Sequence, residues 1–266
     1  MDLARARPVC VQALHRRCVE FEHATASAGR GSRVGTGRNP AASGPTCCEA
    51  IPISTGICYK GAMDKPLGSA DILGRGHWVF DLDGTLTVAI HDFAQIREVL
   101  GVPAGGDILG HLDALPAAEA LVLRGRLGEI EYELAGRTEP ADGALGLVAL
   151  LFGRGVRMGV LTRNSRANAL RTLGRIGLSH YIAERDVLGR DDALAKPDPD
   201  GIFKLAENWG TAPSALVMVG DYGFDLQTGR AAGAATIHVD PTRTFRWPEL
   251  TDIAVGSLAE LALALP

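Results

Sequence analysis

From His77 onward, short apolar runs alternate with longer stretches of helical periodicity, and this alternation marks a parallel sheet flanked by helices. The runs are Trp78-Val79-Phe80, Met158-Gly159-Val160-Leu161, Leu216-Val217-Met218-Val219 and Thr236-Ile237-His238-Val239, with a weaker one at Ile253-Ala254-Val255. Their continuous apolar character suits strands covered on both faces. Helices are expected near 142–153, 165–176, 199–209 and 224–232 and from Ser257 onward, with Gly153, Gly177, Gly210 and Gly233 as C-terminal caps. Residues 88–140 break the pattern: Asp92 to Leu100 and Pro116 to Ala135 place apolar residues at helical spacing, with no convincing strand. The expected fold is α/β, a three-layer Rossmann-like parallel sheet core at 77–87 and 141–266, with a small inserted α-helical cap at 88–140.

Residues 1–76 read differently. Stretches such as Ala28-Gly29-Arg30-Gly31-Ser32-Arg33 lack apolar periodicity and are rich in Gly, Ser and Arg, so a disordered N-terminal extension is expected. A dispensable tail, a targeting peptide and sequence upstream of a true start at Met63 all account for it, the last being favoured. Cys10, Cys18, Cys47, Cys48 and Cys58 all precede Met63 and lack zinc-finger spacing, so the body needs neither a disulfide nor a cysteine metal site. Residues 1–62 hold eight Lys/Arg against four Asp/Glu, which leaves an acidic body within a chain of net charge −4. That balance excludes general affinity for nucleic acid or anionic membranes. No apolar run approaches the ~20 residues that cross a bilayer, and a cytoplasmic monomer or homodimer is expected.

Three predicted strands end in polar residues of the kinds that phosphate chemistry uses: Asp81-Leu82-Asp83-Gly84-Thr85, Thr162-Arg163-Asn164 and Gly220-Asp221-Tyr222-Gly223-Phe224-Asp225. Ligands of an open parallel sheet bind outside the carboxyl ends of its strands, so these groups converge on one crevice. Carboxylates gathered there repel one another by roughly a few kcal/mol per close pair at an effective dielectric of about 20. A divalent cation resolves the conflict, and the all-oxygen donor set suits Mg²⁺. Lys196, in Lys196-Pro197-Asp198-Pro199, adds the positive charge that a phosphoryl group favours. Taken singly, each of these elements also reads as a turn, a helix start or a solvated loop. Their order at successive strand ends is what independent turn chemistry would seldom produce.

In that order the elements resemble the haloacid dehalogenase-like superfamily of aspartate-nucleophile hydrolases. Val79-Phe80-Asp81-Leu82-Asp83-Gly84-Thr85-Leu86-Thr87 meets the family's first motif in full, and residues 77–240 look like its phosphoglycolate-phosphatase-like branch. The resemblance implies that Asp81 attacks phosphorus to form an aspartyl phosphate, while Asp83 protonates the leaving oxygen and then activates water. It implies Mg²⁺ held by Asp81, the Asp83 carbonyl and Asp221, with Asp225 behind or beside them, and substrate phosphate held by Thr162, Arg163, Asn164 and Lys196. Asp83 also argues against halide displacement, which needs no acid for its leaving group. The chain departs from many relatives at Tyr222, where Ser is common, and at Arg163, where a small or amide residue is common.

The expected partner is a small phosphorylated metabolite, with phosphoglycolate first on resemblance alone. His91, Arg97, His111 and Arg124 are the candidates for reading it from the cap. A phosphomutase or phosphotransferase using the same aspartyl phosphate, and a non-catalytic regulatory module, remain as alternatives.

Overall fold

Trp78, Val79 and Phe80 are all fully buried, a state open to consecutive strand residues only when both faces of the sheet are covered. The computed structural model describes residues 68–266 together with Cys58–Tyr59. Its strands are β1 (Cys58–Tyr59), β2 (His77–Phe80), β3 (Arg157–Leu161), β4 (Val187–Leu188), β5 (Leu216–Gly220), β6 (Ala235–Val239) and β7 (Ile253–Val255). The sheet order is β1-β7-β6-β5-β2-β3-β4. All neighbours run parallel except β1, which pairs antiparallel with β7. The helices of eight or more residues are α2 (Phe93–Leu100), α4 (Ala117–Arg137), α5 (Ala144–Gly153), α6 (Arg166–Arg175), α7 (Asp200–Trp209) and α8 (Gly223–Ala232). Shorter ones are α1 (Ser69–Leu73), α3 (Ile108–Asp113) and α9 (Leu258–Ala264). None of the described helices is long and apolar enough to cross a membrane.

The alternation of strand side chains sorts the core into two layers. Trp78, Phe80, Met158, Val160, Val217 and Val219 pack with α1, α5, α6 and α9, whereas Val79, Leu161, Leu216 and Met218 pack with α7. Between β2 and α5, helices α2, α3 and α4 surround an apolar cluster of their own containing Ile96, Leu100, Leu109, Leu112 and Leu127. This insertion leaves and rejoins the sheet through two adjacent segments. The Val88 N–H donates to the Glu139 carbonyl and the Ala141 N–H to the Leu86 carbonyl, both at 3.0 Å.

Several sequence expectations need correction. The core begins before residue 77: α1 places Ile72 and Leu73 against the Trp78 layer, and β1 extends the sheet edge. Neither element has a periodic pattern long enough to announce itself. The same brevity hid β4 and α3, the latter started by Asp107, whose side chain accepts from the Gly110 N–H. Gly210 and Gly233 are left-handed helix caps as expected, but Gly153 lies within α5 and the left-handed residue there is Gly155. The remaining expectations for residues 1–57 and 60–67 lie outside the described residues. Ile72 is 2% exposed, so Ile72→Ala is expected to destabilise the fold by about 2–5 kcal/mol, read as a lower urea midpoint with an unchanged slope.

Candidate active site

β2, β3 and β5 lie side by side, so their carboxyl ends deliver Asp81, Thr162 and Asp221 to one crevice. The Asp81 N–H donates to the Val219 carbonyl at 2.9 Å, which continues the ladder one residue past the strand and fixes where the carboxylate emerges. The chain then turns sharply, with the Leu86 and Thr87 N–H groups both returning to the Leu82 carbonyl at 3.0 Å. Gly84 has φ +101°, and a Cβ there would stand 2.5 Å from Asp221 Oδ2. Glycine therefore lets the first motif close directly onto the third. Thr85 Oγ1 donates to Asp221 Oδ1 at 3.2 Å across the same junction.

Lys196 is 4% exposed and ties the crevice together. Its Nζ donates to Asp81 Oδ1 at 2.5 Å and to Asp225 Oδ1 at 2.6 Å. Asp225, in the first turn of α8, uses its other oxygen to accept the Tyr222 N–H at 3.0 Å. Asp83 faces a different set of groups. Its Oδ2 lies 3.5 Å from both Thr162 Oγ1 and Asn164 Nδ2, and its Oδ1 lies 3.9 Å from His91 Nε2. Thr162 Oγ1 also accepts the Asn164 N–H at 3.0 Å, so the end of β3 is ordered before any ligand arrives.

The electrostatics are those of too many acids for one cation. Burial, with Asp81 and Asp225 close by, pushes the Asp221 carboxyl up to about 8. Burial raises Asp225 to about 6, Lys196 working against the shift and Asp81 with it. Asp83 is raised chiefly by burial; His91 opposes this and Asp81 reinforces it. Burial alone would lower the Lys196 ammonium, but Asp225 and Asp81 outweigh it and hold its pKa above the ordinary value. Asp81, Asp221 and Asp225 each offer an oxygen within 4.8 Å of the others, an all-carboxylate set that fits a hard divalent cation. Since both Asp225 oxygens are already engaged, Asp81 and Asp221 are the more open donors.

Beyond the acids lies a cavity of about 450 Å³ shared with the helical insertion, and its lining includes Asp81, Asp83, Thr162, Asn164 and Lys196. Arg163 lines it too, but its guanidinium is paired with Asp107 at the start of α3 and rests 4.7 Å over the Phe224 ring. Of the four residues expected to read substrate, His91 and Arg97 border the cavity. His111 is not part of its lining, and Arg124 is paired with exposed Asp113.

Sequence reasoning missed a second contact between insertion and core. Arg190, just past β4, makes a two-pronged ion pair with Glu131 of α4 at 2.6 and 2.8 Å, and also donates to the Arg163 carbonyl at 3.3 Å. Both side chains are about nine-tenths buried. The Arg190 N–H donates to the Asn164 carbonyl at 3.0 Å, so the loop carrying Arg190 is also tied to the polar end of β3. A pair 59 residues apart in the chain leaves no local spacing to find it by.

The fold and this crevice together define a Rossmann-like α/β protein with an acidic, lysine-braced site at the carboxyl edge of its sheet. The family model of haloacid dehalogenase-like hydrolases matches residues 77–233, more than half the chain, and the protein belongs to that family. Among its relatives is a haloacid dehalogenase-like hydrolase domain-containing protein of Arabidopsis thaliana, 30% identical over 179 residues, which span 62% of this chain and 70% of the relative. A phosphoglycolate phosphatase of Rhodospirillum rubrum is 30% identical over 191 residues, covering 60% and 77% of the two chains. The fold is shared with the crystal structure of a predicted phosphoglycolate phosphatase from Haemophilus somnus, at TM-score 0.57 and 19% identity over 70% of this chain and 96% of that one.

Two outcomes are expected. Without metal, Asp221 and Asp225 hold protons in the folded state that the unfolded chain releases near 3.8. Their contribution to stability is complete below that value and is lost as pH rises through about 6 and then about 8. Cation binding requires the ionised forms, so thermal melting should show a larger rise in Tm on adding a hard divalent cation at pH 8.5 than at pH 5.5. Separately, Arg190→Ala strands a buried Glu131 charge, and urea unfolding should show a loss of about 3–5 kcal/mol.

Proposed function

We propose that this chain is a Mg²⁺-dependent phosphatase that hydrolyses a small phosphate monoester through an aspartyl phosphate on Asp81. The observation that carries the reading is the buried Lys196 ammonium clasping Asp81, with Asp83 two residues further along the same turn. Lys196 holds Asp81 Oδ1, which leaves Oδ2 to attack phosphorus as the bond to the leaving oxygen breaks. Asp83, whose carboxyl burial biases toward its protonated form, donates its proton to that oxygen. Once the alcohol has left, Asp83 takes a proton from water, whose oxygen attacks the phosphorus of the aspartyl phosphate and frees both inorganic phosphate and Asp81.

Thr162, Asn164 and Lys196 are the donors for the phosphoryl oxygens, with the N-terminus of α6 behind them. Arg163 supports this end indirectly, because it is engaged with Asp107. Asp81, Asp221 and the Asp83 carbonyl would hold Mg²⁺, with Asp225 fixing Lys196 and Tyr222 beside them. When bound, the cation supplies charge that neutralises the phosphoryl oxygens and the clustered carboxylates.

The relatives named for phosphoglycolate make 2-phosphoglycolate the reference ester in a panel of small phosphate esters. Phosphate release should require Mg²⁺ and fall to background in Asp81→Asn. Asp83→Asn should lower kcat by about 10²–10⁴-fold. Release that survives in Asp81→Asn would sink the covalent mechanism.

A further inference from the structure

Outside the acidic cluster, much of the cavity lining is apolar. Phe93 and Ile96 of α2, Leu109 of α3, Leu127 of α4 and Phe224 of α8 form it. Ile96, Leu109 and Leu127 are also core residues of the insertion, so the helices that build its small cluster carry that apolar surface to the substrate side. Phe93 is 51% exposed, its ring stacked on His91 with centroids 5.4 Å apart. A half-exposed aromatic beside the reacting groups offers a face for a ligand to cover.

Two of the acids sharing this space are closed into ion pairs. Arg163 is paired with Asp107, and Glu131 with Arg190. Arg97 has no carboxylate partner among the described residues; it donates its Nε–H to the Gly106 carbonyl at 2.8 Å and an Nη1–H to the Phe93 carbonyl at 3.1 Å. A second anionic group on the substrate would lose its hydration against these apolar walls, a cost that only a pairing cation offsets, and Arg163 and Arg190 are already taken up by Asp107 and Glu131. A two-carbon ester would also leave much of the roughly 450 Å³ filled with water against apolar walls.

We infer that the ester hydrolysed here has an uncharged leaving group with an apolar body, of arylalkyl size or larger, seated between α2, α4 and α8. This selectivity rests on the phosphatase reading of the site: the phosphoryl group lies on Lys196 and Thr162, and the leaving group extends under the helical insertion.

The test compares kcat/KM of the full chain with Mg²⁺ on ethyl phosphate, benzyl phosphate, 4-carboxybenzyl phosphate and 2-phosphoglycolate. Benzyl phosphate should exceed ethyl phosphate by about tenfold or more, and 4-carboxybenzyl phosphate should fall below benzyl phosphate. Because Phe93 is half exposed, Phe93→Ala should keep its Tm while the benzyl-to-ethyl ratio drops several-fold. Equal values for benzyl and ethyl phosphate would overturn the inference. A preference for 2-phosphoglycolate that disappears in Arg97→Leu would also overturn it, assigning Arg97 to a substrate carboxylate while leaving the phosphatase reading intact. No phosphate from any ester would remove both readings together.

Discussion

Everything at the crevice depends on one buried ammonium. Lys196 is nearly inaccessible, yet it stays charged because Asp81 and Asp225 each hold it at hydrogen-bond distance. Without it, Asp81 would stand as a buried acid among acids with no cation of the protein beside it. The same lysine joins the end of β2 to the first turn of α8, beside the contact that Gly84 and Thr85 make with Asp221. Charge balance and local geometry are therefore set by a single side chain.

The sheet was legible because its strands are buried on both faces and so form uninterrupted apolar runs, each ending where the chain turns polar. The acids and Lys196 were legible for a related reason: strand ends in a parallel sheet have a known direction, so position along the chain converts into position in space. What could not be read is whatever depends on two distant segments meeting. Val187–Leu188 is a strand because Val160 and Leu161 offer it an edge, not because two residues specify one. Glu131 looks like any other acid of a polar helix until the fold sets it against Arg190. Arg163 shows in the sequence only as a neighbour of Thr162, and its pairing with Asp107 of the insertion appears only in the fold.

The insertion and the sheet divide the labour unequally. The acids, Thr162 and Lys196 that gather in the crevice come from strand ends, from the first turn of α8 and from the loop bearing Lys196. The insertion contributes apolar walls and two acids, Asp107 and Glu131, each held by an arginine on the core side. Arg190 bonds both Glu131 and the Arg163 carbonyl, so the placement of α4 is mechanically linked to the residues flanking Thr162.

The narrow neck at Val88 and Glu139 has a consequence for how such a chain can change over time. The inserted helices carry their own apolar centre and join the sheet at one place. Their inward faces can drift, lengthen or be exchanged while Asp81, Thr162 and Asp221, anchored at the ends of β2, β3 and β5, stay where they are. New specificities can then arise by rewriting one compact stretch of sequence, with the arginine clasps setting which replacements still dock.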